Sequence, residues 1–487
     1  MAAALGVREL EVQDLEEEED KIIVMNTNTL WSLRLGFSGK QSKAIEQMGL
    51  SAFLDKSFRS SFDKKAPSLL DNSPKSLKEL KAKRQEIKSS NPDNVKELLK
   101  VEIKVSQEMK AWWLQKMIAE EFPLREKMTC FWHNHFVCTY QKVKVNHWIF
   151  QHNQILREDA FGNFKTLTKK IIQSNAMVRY LDNVDNKRDD INENLSRELL
   201  ELFTLGIGNY TEDDIKNGAK GLAGLNFGED EAVYRPFLEN DDTITYFGKI
   251  GKFKADEMID IIFEQKAIPY LITRKILQWF IYDNPSPELI TYYGDYFRKV
   301  DFEIKPLLTK IFTEEFPKDN AGSKIKDPLV YILQLMDELN IEQSNPKLLV
   351  FYLKQQGMDL FNQPNVKGWN GGKEWLSSQV YLQRNNSADL LCNGKNISRR
   401  AKFADDDMMN ENANQLLKVS LNWTKTGTNK TIIAELQNRL LFEADENLQK
   451  DWETILKYDF NPKDEGADNA VMRLFNNMIK TPEFQII

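Results

Sequence analysis

Asn192-Glu193-Asn194-Leu195-Ser196-Arg197-Glu198-Leu199-Leu200-Glu201-Leu202 is the stretch on which the reading of this chain turns. At about 100° per residue, Leu195, Leu199, Leu202, Phe203 and Leu205 share one apolar face, so the segment predicts an amphipathic helix over 194–205. Gly206 follows as a suitable C-terminal cap. Thr211 with Asp214 then matches a capping box with Asp in place of the usual Glu, and Ile215, Ala219 and Leu222 continue as a buried stripe. Glu198 falls between Leu202 and Leu205 on the wheel, inside the apolar face. A carboxylate buried without a partner costs several kcal/mol, so Glu198 is expected to have a cationic or hydrogen-bonding partner, or a raised pKa. Glu201 sits at the edge of that face and Arg197 further round, where Arg197 is expected to pair with Glu201 at i,i+4. A purely architectural ion pair is the alternative to a pocket carboxylate.

Helical periodicity extends both ways from this segment. Residues 75–119 read as two amphipathic helices broken near Asn91-Pro92. Further helices are predicted over 124–161, 163–181, 255–265, 268–282, 286–299, 304–314 and 327–338, and again through the C-terminal third. Alternating Tyr and Thr with Gly over 231–250 predict a short hairpin, and 362–373 reads as loop. The expected fold is therefore mainly α: a large multi-helix single domain over 25–487 with a small β-hairpin excursion. Residues 1–24 look foreign to it. Glu16-Glu17-Glu18-Glu19-Asp20 is a block of like charge that repels itself, which points to an acidic tail, a misplaced start or a non-native remnant.

Composition narrows the function classes. The chain has 487 residues, 41% hydrophobic and 29% charged, with a formal net charge of −7. A nucleic-acid binder usually shows a basic balance, which is missing, so nucleic acid is not an expected partner. No apolar run reaches the roughly 18 residues of a membrane-spanning helix. Three cysteines, Cys130, Cys138 and Cys392, are too few and too scattered for a disulfide framework or a four-cysteine zinc site. With no visible signal peptide, a cytoplasmic location is expected, the alternative being periplasm or export.

All four histidines, His133, His135, His147 and His152, lie within twenty residues. Such clustering invites a metal reading. Yet Leu124, Met128, Phe131 and His135 have helical spacing, and residues two apart on a helix point about 200° apart, so His133 and His135 cannot chelate one ion together. His135 lies on the apolar stripe and reads equally well as a core histidine; His133 faces Glu126 and Cys130. The string His133-Asn134-His135 also spells the name of a nuclease class, a match taken as accidental. No resident metal or cofactor is expected; a transition metal, if held, would start from His135 with Glu198 or Glu201. Phe361-Asn362-Gln363-Pro364-Asn365-Val366-Lys367-Gly368-Trp369-Asn370-Gly371-Gly372-Lys373-Glu374-Trp375 is the other unusual stretch. Its Pro, Asn and Gly fix special backbone angles. Its tryptophans either stack on a ligand or pin the loop to the core.

Together these residues resemble the domain-of-unknown-function 1800 family. The matching blocks run in order: Leu30-Trp31-Ser32-Leu33-Arg34-Leu35-Gly36-Phe37, Phe131-Trp132-His133-Asn134-His135-Phe136, Arg157 to Phe164, Met177 to Asn183, Asn192 to Gly206 followed by Tyr210 to Asp214, and Pro364 to Trp369. The resemblance implies a large, helical, bacterial protein, often exported, often found beside a sulfatase-like companion protein, and with no established activity. Two positions depart from the pattern: Leu225 stands where Trp commonly follows Gly224, and Phe203 where His often sits. A metal site relying on that His is weakened here. Two functional expectations follow. One is an enzyme doing acid–base chemistry with Glu198, His135, Arg197 and Asn194, its ligand held by Asn134, Asn192, Glu201, Asn365, Lys367 and Trp369. The other is a non-catalytic scaffold or binding module, in which the same residues form an internal polar network. Whether His135 and Glu198 line an open cleft or a sealed core discriminates between them.

Overall fold

Apolar stripes with helical spacing become helices along nearly the whole chain. The computed structural model describes residues 22–23, 25–90, 94–341, 345–395 and 417–487. Within these the fold is mainly α, as expected, with short two-stranded β pairings. The Lys- and Glu-rich region gives Leu77–Ser90 and Asn94–Ala119; the break near Asn91-Pro92 lies outside the described residues. So does the acidic run 16–20, although Ile22–Ile23 pairs antiparallel with Glu443–Ala444.

Several predicted helices are divided. The stretch 124–161 becomes Leu124–His135, Tyr140–Val143 and Asn146–Glu158. The interruption falls at Phe136 to Thr139, and again at Lys144, whose φ of 67° is left-handed and ends a right-handed helix. The stretch 163–181 splits into Phe164–Ile172 and Asn175–Tyr180, because Ser174 caps the second piece by accepting the Met177 N–H at 3.2 Å. The hairpin region holds two pairings: Leu225–Asn226 with Val233–Tyr234, and Ile244–Tyr246 with Lys249–Gly251.

The helix Leu124–His135 is the axis of the site-bearing half. It packs on Asn146–Glu158, Leu50–Arg59 and Asn94–Ala119. One buried network holds three of these together. The Glu126 carboxylate accepts from Arg157 Nε at 2.6 Å, Arg157 Nη2 at 3.0 Å and Trp113 Nε1 at 2.7 Å. All three side chains are buried. A fully paired, hydrogen-bonded charge of this kind fixes register more than it adds net stability. Nearby, buried Arg34 donates to Asn320 Oδ1 and O, tying the first helix, Thr27–Leu35, to the loop at Asn320.

Candidate functional site

Asn194–Glu198 is α-helical, but Leu199–Thr204 is a π-helix. The widened turn shows in the Leu205 N–H reaching the Leu200 carbonyl at 3.0 Å, an i→i+5 bond. This corrects the helical wheel. Leu195, Leu199, Phe203 and Leu205 are buried, but Leu202, Glu198 and Glu201 are only half-buried and share the rim. The extra residue per turn also separates Arg197 from Glu201. Arg197 instead pairs with Glu193 at 3.0 Å and Glu212 at 3.1 Å, and Glu201 accepts the Tyr210 hydroxyl at 2.9 Å. The capping box is present as read: Thr211 Oγ1 accepts from Asp214 N at 3.1 Å, and Asp214 Oδ2 accepts from Thr211 N at 2.9 Å.

A helix ends with carbonyls that have no partner within it. Here two of them, Leu202 O and Phe203 O, find partners on other elements. His135 Nε2 lies 3.1 Å from Phe203 O, and Lys275 Nζ donates to Leu202 O at 3.2 Å. A carbonyl only accepts, so the Nε2 of His135 carries the proton and its Nδ1 holds a lone pair. That lone pair meets Lys275 Nζ at 3.1 Å. His135 is buried, and burial, followed by the Lys275 charge, holds its pKa well below the usual imidazole value; it is neutral. Lys275 is half-buried, and desolvation lowers its pKa to about 8.

His135 and Lys275 line a cleft of about 250 Å³ with Asn134, Trp279, Lys324, Lys367, Trp369 and Trp375. Its mouth is at Lys367 and Asn370, which are exposed. Lys324 is buried at the back, donating to Gln278 O at 3.0 Å, with Asp283 Oδ1 at 3.9 Å and its ammonium 6.0 Å from the Trp375 ring centroid. Burial lowers its pKa too. Three lysines against the single carboxylate of Asp283 leave a formal surplus of two positive charges in the lining.

The Gly-Trp loop is pinned by Asn134. The Asn134 side chain accepts the Trp369 N–H at 2.7 Å and donates to Trp369 O at 3.4 Å, reading both backbone groups of one residue. Gly368 permits the approach: its φ is +83°, and a Cβ there would lie 2.3 Å from Asn134 Oδ1. Asn365 shapes the turn by accepting the Lys367 N–H at 2.8 Å and is itself exposed. Trp369 and Trp279 are both buried cleft residues whose indole N–H groups have no acceptor among the described residues.

The residues singled out from the sequence thus divide. His135, Asn134, Lys367 and Trp369 come together around the cleft. Glu198 does not line it. Its carboxyl is raised by burial and by Glu201, and opposed by Lys367 and Arg197, and it makes no side-chain hydrogen bond among the described residues. Asn192 accepts the Asn194 N–H at 3.0 Å as a local turn into the helix, and Asn194 is exposed. His133 lies in the core against Trp113, Phe361 and His152, with the Gln363 amide donating to its carbonyl and to Nδ1. Among the described residues no group of three or more His, Cys, Asp or Glu is arranged to hold a metal ion, and no helix is long and apolar enough to cross a membrane. Another cavity, about 370 Å³ and lined by Phe37, Met117, Met336 and Asp337 among others, contains none of the candidate residues.

Lys275, Lys324, Trp279 and Asp283 were not picked out from the sequence. Lys275 left a signal. It lies three residues after Ile272 and four before Trp279, both buried, so it interrupts an apolar stripe just as Glu198 does. Lys324 sits in an irregular segment with no periodicity to violate. Comparison with curated proteins and with solved structures gives no match. The model of one family, described as a protein of unknown function (DUF1800), matches residues 29–486, nearly the whole chain, and the protein belongs to that family.

Proposed function

We propose that the cleft between the helices Leu124–His135 and Ile268–Phe280 and the Trp369 loop binds a small anionic ligand: a carboxylate, phosphate or sulfate joined to a body that lies against tryptophan. The observation that carries this reading is the state of Lys275. Its ammonium has three donors. Two meet neutral acceptors, His135 Nδ1 and Leu202 O, and no carboxylate lies in salt-bridge range among the described residues. The third donor and the surplus charge are supplied by the protein without a matching anion. Elsewhere in the interior, Lys110 is paired with Asp359 and Lys127 with Asp327, while Lys326 is sealed in the core over the Phe484 ring; Lys275 differs in lining a cleft. Electrostatic focusing in a cleft of one sign with apolar walls favours capture of the opposite charge.

Of the two discriminating residues His135 lines the cleft and Glu198 does not; His135 together with Lys275, in a cleft with an exposed mouth, favours an enzyme over a scaffold. His135 is the acid–base group of this reading, and Lys275 takes the cationic role first assigned to Arg197. Glu198 acts at one remove, through the field of Lys367. A sulfatase-like companion protein, which the family resemblance implies, would handle the same class of anion.

Thermal melts in sulfate, phosphate and a dicarboxylate, each at ionic strength matched with chloride, test the reading. A ligand at a hundred times its Kd stabilises the folded state by about 2.7 kcal/mol. The wild type is expected to show a saturable upward shift with at least one of these anions, and Lys275→Met with Lys324→Met is expected to abolish it. A shift that tracks ionic strength alone, or survives in the double variant, would sink the proposal.

A further inference from the structure

Resting on that anion-binding reading, we infer a covalent activity: Lys275 condenses with the carbonyl carbon of an anionic aldehyde or 2-oxo acid, forming an imine in the cleft, with His135 moving the protons. Three features of the geometry carry it. Lys275 Nζ is at the cleft wall and has no carboxylate partner among the described residues, so none of these holds it as ammonium. The Nδ1 lone pair of His135 lies 3.1 Å away, inside the distance for proton transfer. Two further lysines, Lys324 and Lys367, line the same cleft and can take the anionic group of the ligand while Lys275 takes its carbonyl. Desolvation together with neighbouring cations is a known way to make a lysine nucleophilic near neutral pH. The lowered pKa of Lys275 agrees with this.

The steps balance without an oxidant or reductant. The Lys275 ammonium loses one proton to solvent, relayed through His135 Nδ1, leaving the free amine that its pKa of about 8 makes available. The nitrogen lone pair attacks the carbonyl carbon; the carbon–oxygen π pair moves to oxygen, which gains one of the amine protons, and a neutral carbinolamine results. His135 relays a proton from solvent to that hydroxyl, the carbon–oxygen bond breaks, and water leaves as the nitrogen lone pair forms the protonated imine. Net of exchange with solvent, the three protons of the ammonium end as two on water and one on the imine nitrogen. While it is an imidazolium, His135 keeps its Nε2–H on Phe203 O, at a helix C-terminus whose dipole favours positive charge.

Glyoxylate and pyridoxal 5′-phosphate serve as probes, each incubated with the full-length protein and reduced with cyanoborohydride before peptide mass spectrometry. At about pH 8, the neutral-amine fraction makes labelling of Lys275 roughly a hundredfold faster than that of a solvent lysine. Labelling is expected to fall to background at this position in Lys275→Arg, and to slow on the order of a hundredfold in His135→Gln. Inorganic sulfate is expected to protect Lys275 and leave exposed lysines unprotected. If Lys275 reacts no faster than exposed lysines in a wild-type sample that sulfate still stabilises, the imine chemistry is overturned and the anion cleft stands. If sulfate does not stabilise the wild type either, both fall. If His135→Gln fails to fold, Lys275→Arg and the sulfate protection decide the matter alone.

Discussion

Lys275→Met separates a functional lysine from a structural one without any knowledge of the ligand. The fall of the Lys275 pKa from 10.5 to about 8 makes the charged form about 3 kcal/mol less favourable in the folded than in the unfolded chain. The sign follows from the direction of the shift. The folded state binds this proton more weakly than the unfolded state, so the penalty is full below about pH 8 and disappears as pH rises toward 10.5. Replacing Lys275 by Met removes it. Against this, Leu202 O and His135 Nδ1 lose a donor, at about 1 kcal/mol each if nothing replaces it. Both face a cleft with an exposed mouth, where water can take the place of the ammonium. With an unfolding entropy of about 2.1 cal/mol/K per residue, 487 residues give roughly 1 kcal/mol per degree. The expected gain in melting temperature at pH 7 is therefore about 1–3 °C, falling as pH rises toward 10.5 to between no difference and a loss of about 2 °C. Calorimetric melts of wild type and variant across that range measure it. A variant that melts below wild type at pH 7, by an amount independent of pH, would show that Lys275 is a strut and refute the reasoning.

Gly368→Ala is expected to cost about 1–2 kcal/mol for a left-handed alanine. It also forces Asn134 away from Trp369, so anion-dependent stabilisation is lost even where the protein still folds; unchanged binding would mean the loop does not form the cleft wall. Glu198 has a raised carboxyl pKa, so it opposes folding above that pKa and ceases to do so as pH falls through the carboxylate range. Glu198→Gln should melt at or above wild type at pH 7, with the difference vanishing below about pH 4; a lower melt at pH 7 would reveal a stabilising partner. Glu126→Leu strands the buried Arg157 guanidinium and the Trp113 N–H, and a loss of about 3–5 kcal/mol, or about 3–5 °C, is expected by denaturant or thermal unfolding; a loss under 1 kcal/mol would mean the network adds little.

The helices were legible because their signal is local and repeated. Ile215, Ala219 and Leu222 are buried as their spacing requires, and the Thr211–Asp214 box caps the helix they lie on. Helix ends were harder. Nothing periodic announces that Lys144 turns left-handed, or that Ser174 caps a new helix in the middle of an apolar pattern. The π turn at Leu199–Thr204 was invisible for a sharper reason. A wheel drawn at a constant angle cannot register a widened turn, so Leu202, placed on the apolar face, is only half-buried, while Leu199, Phe203 and Leu205 are buried as drawn. His135, Asn134, Lys367 and Trp369 were found because histidines clustered and because Gly and Trp marked an irregular loop. Their convergence depends on contacts such as Asn134 with Trp369, 235 positions apart, which no local pattern encodes.

The cleft brings an imidazole and an ammonium together with no carboxylate between them among the described residues. Buried cations are normally stabilised by an acid, and in this protein Lys110 and Lys127 are. At Lys275 and His135 that role falls to backbone carbonyls. The end of the helix over 194–205 leaves Leu202 O for Lys275 and Phe203 O for His135, and the negative end of the helix dipole stands in for an acid side chain. A carbonyl carries only partial charge, so it orients both groups and fixes the His135 tautomer without neutralising Lys275. Glu198 lies outside the cleft lining. Displaced to the rim, where it feels Lys367, it leaves the positive charge of the cleft available to a ligand. On the reading proposed here, the free carbonyls of this helix end are therefore what hold an unneutralised lysine where an anion can complete the site.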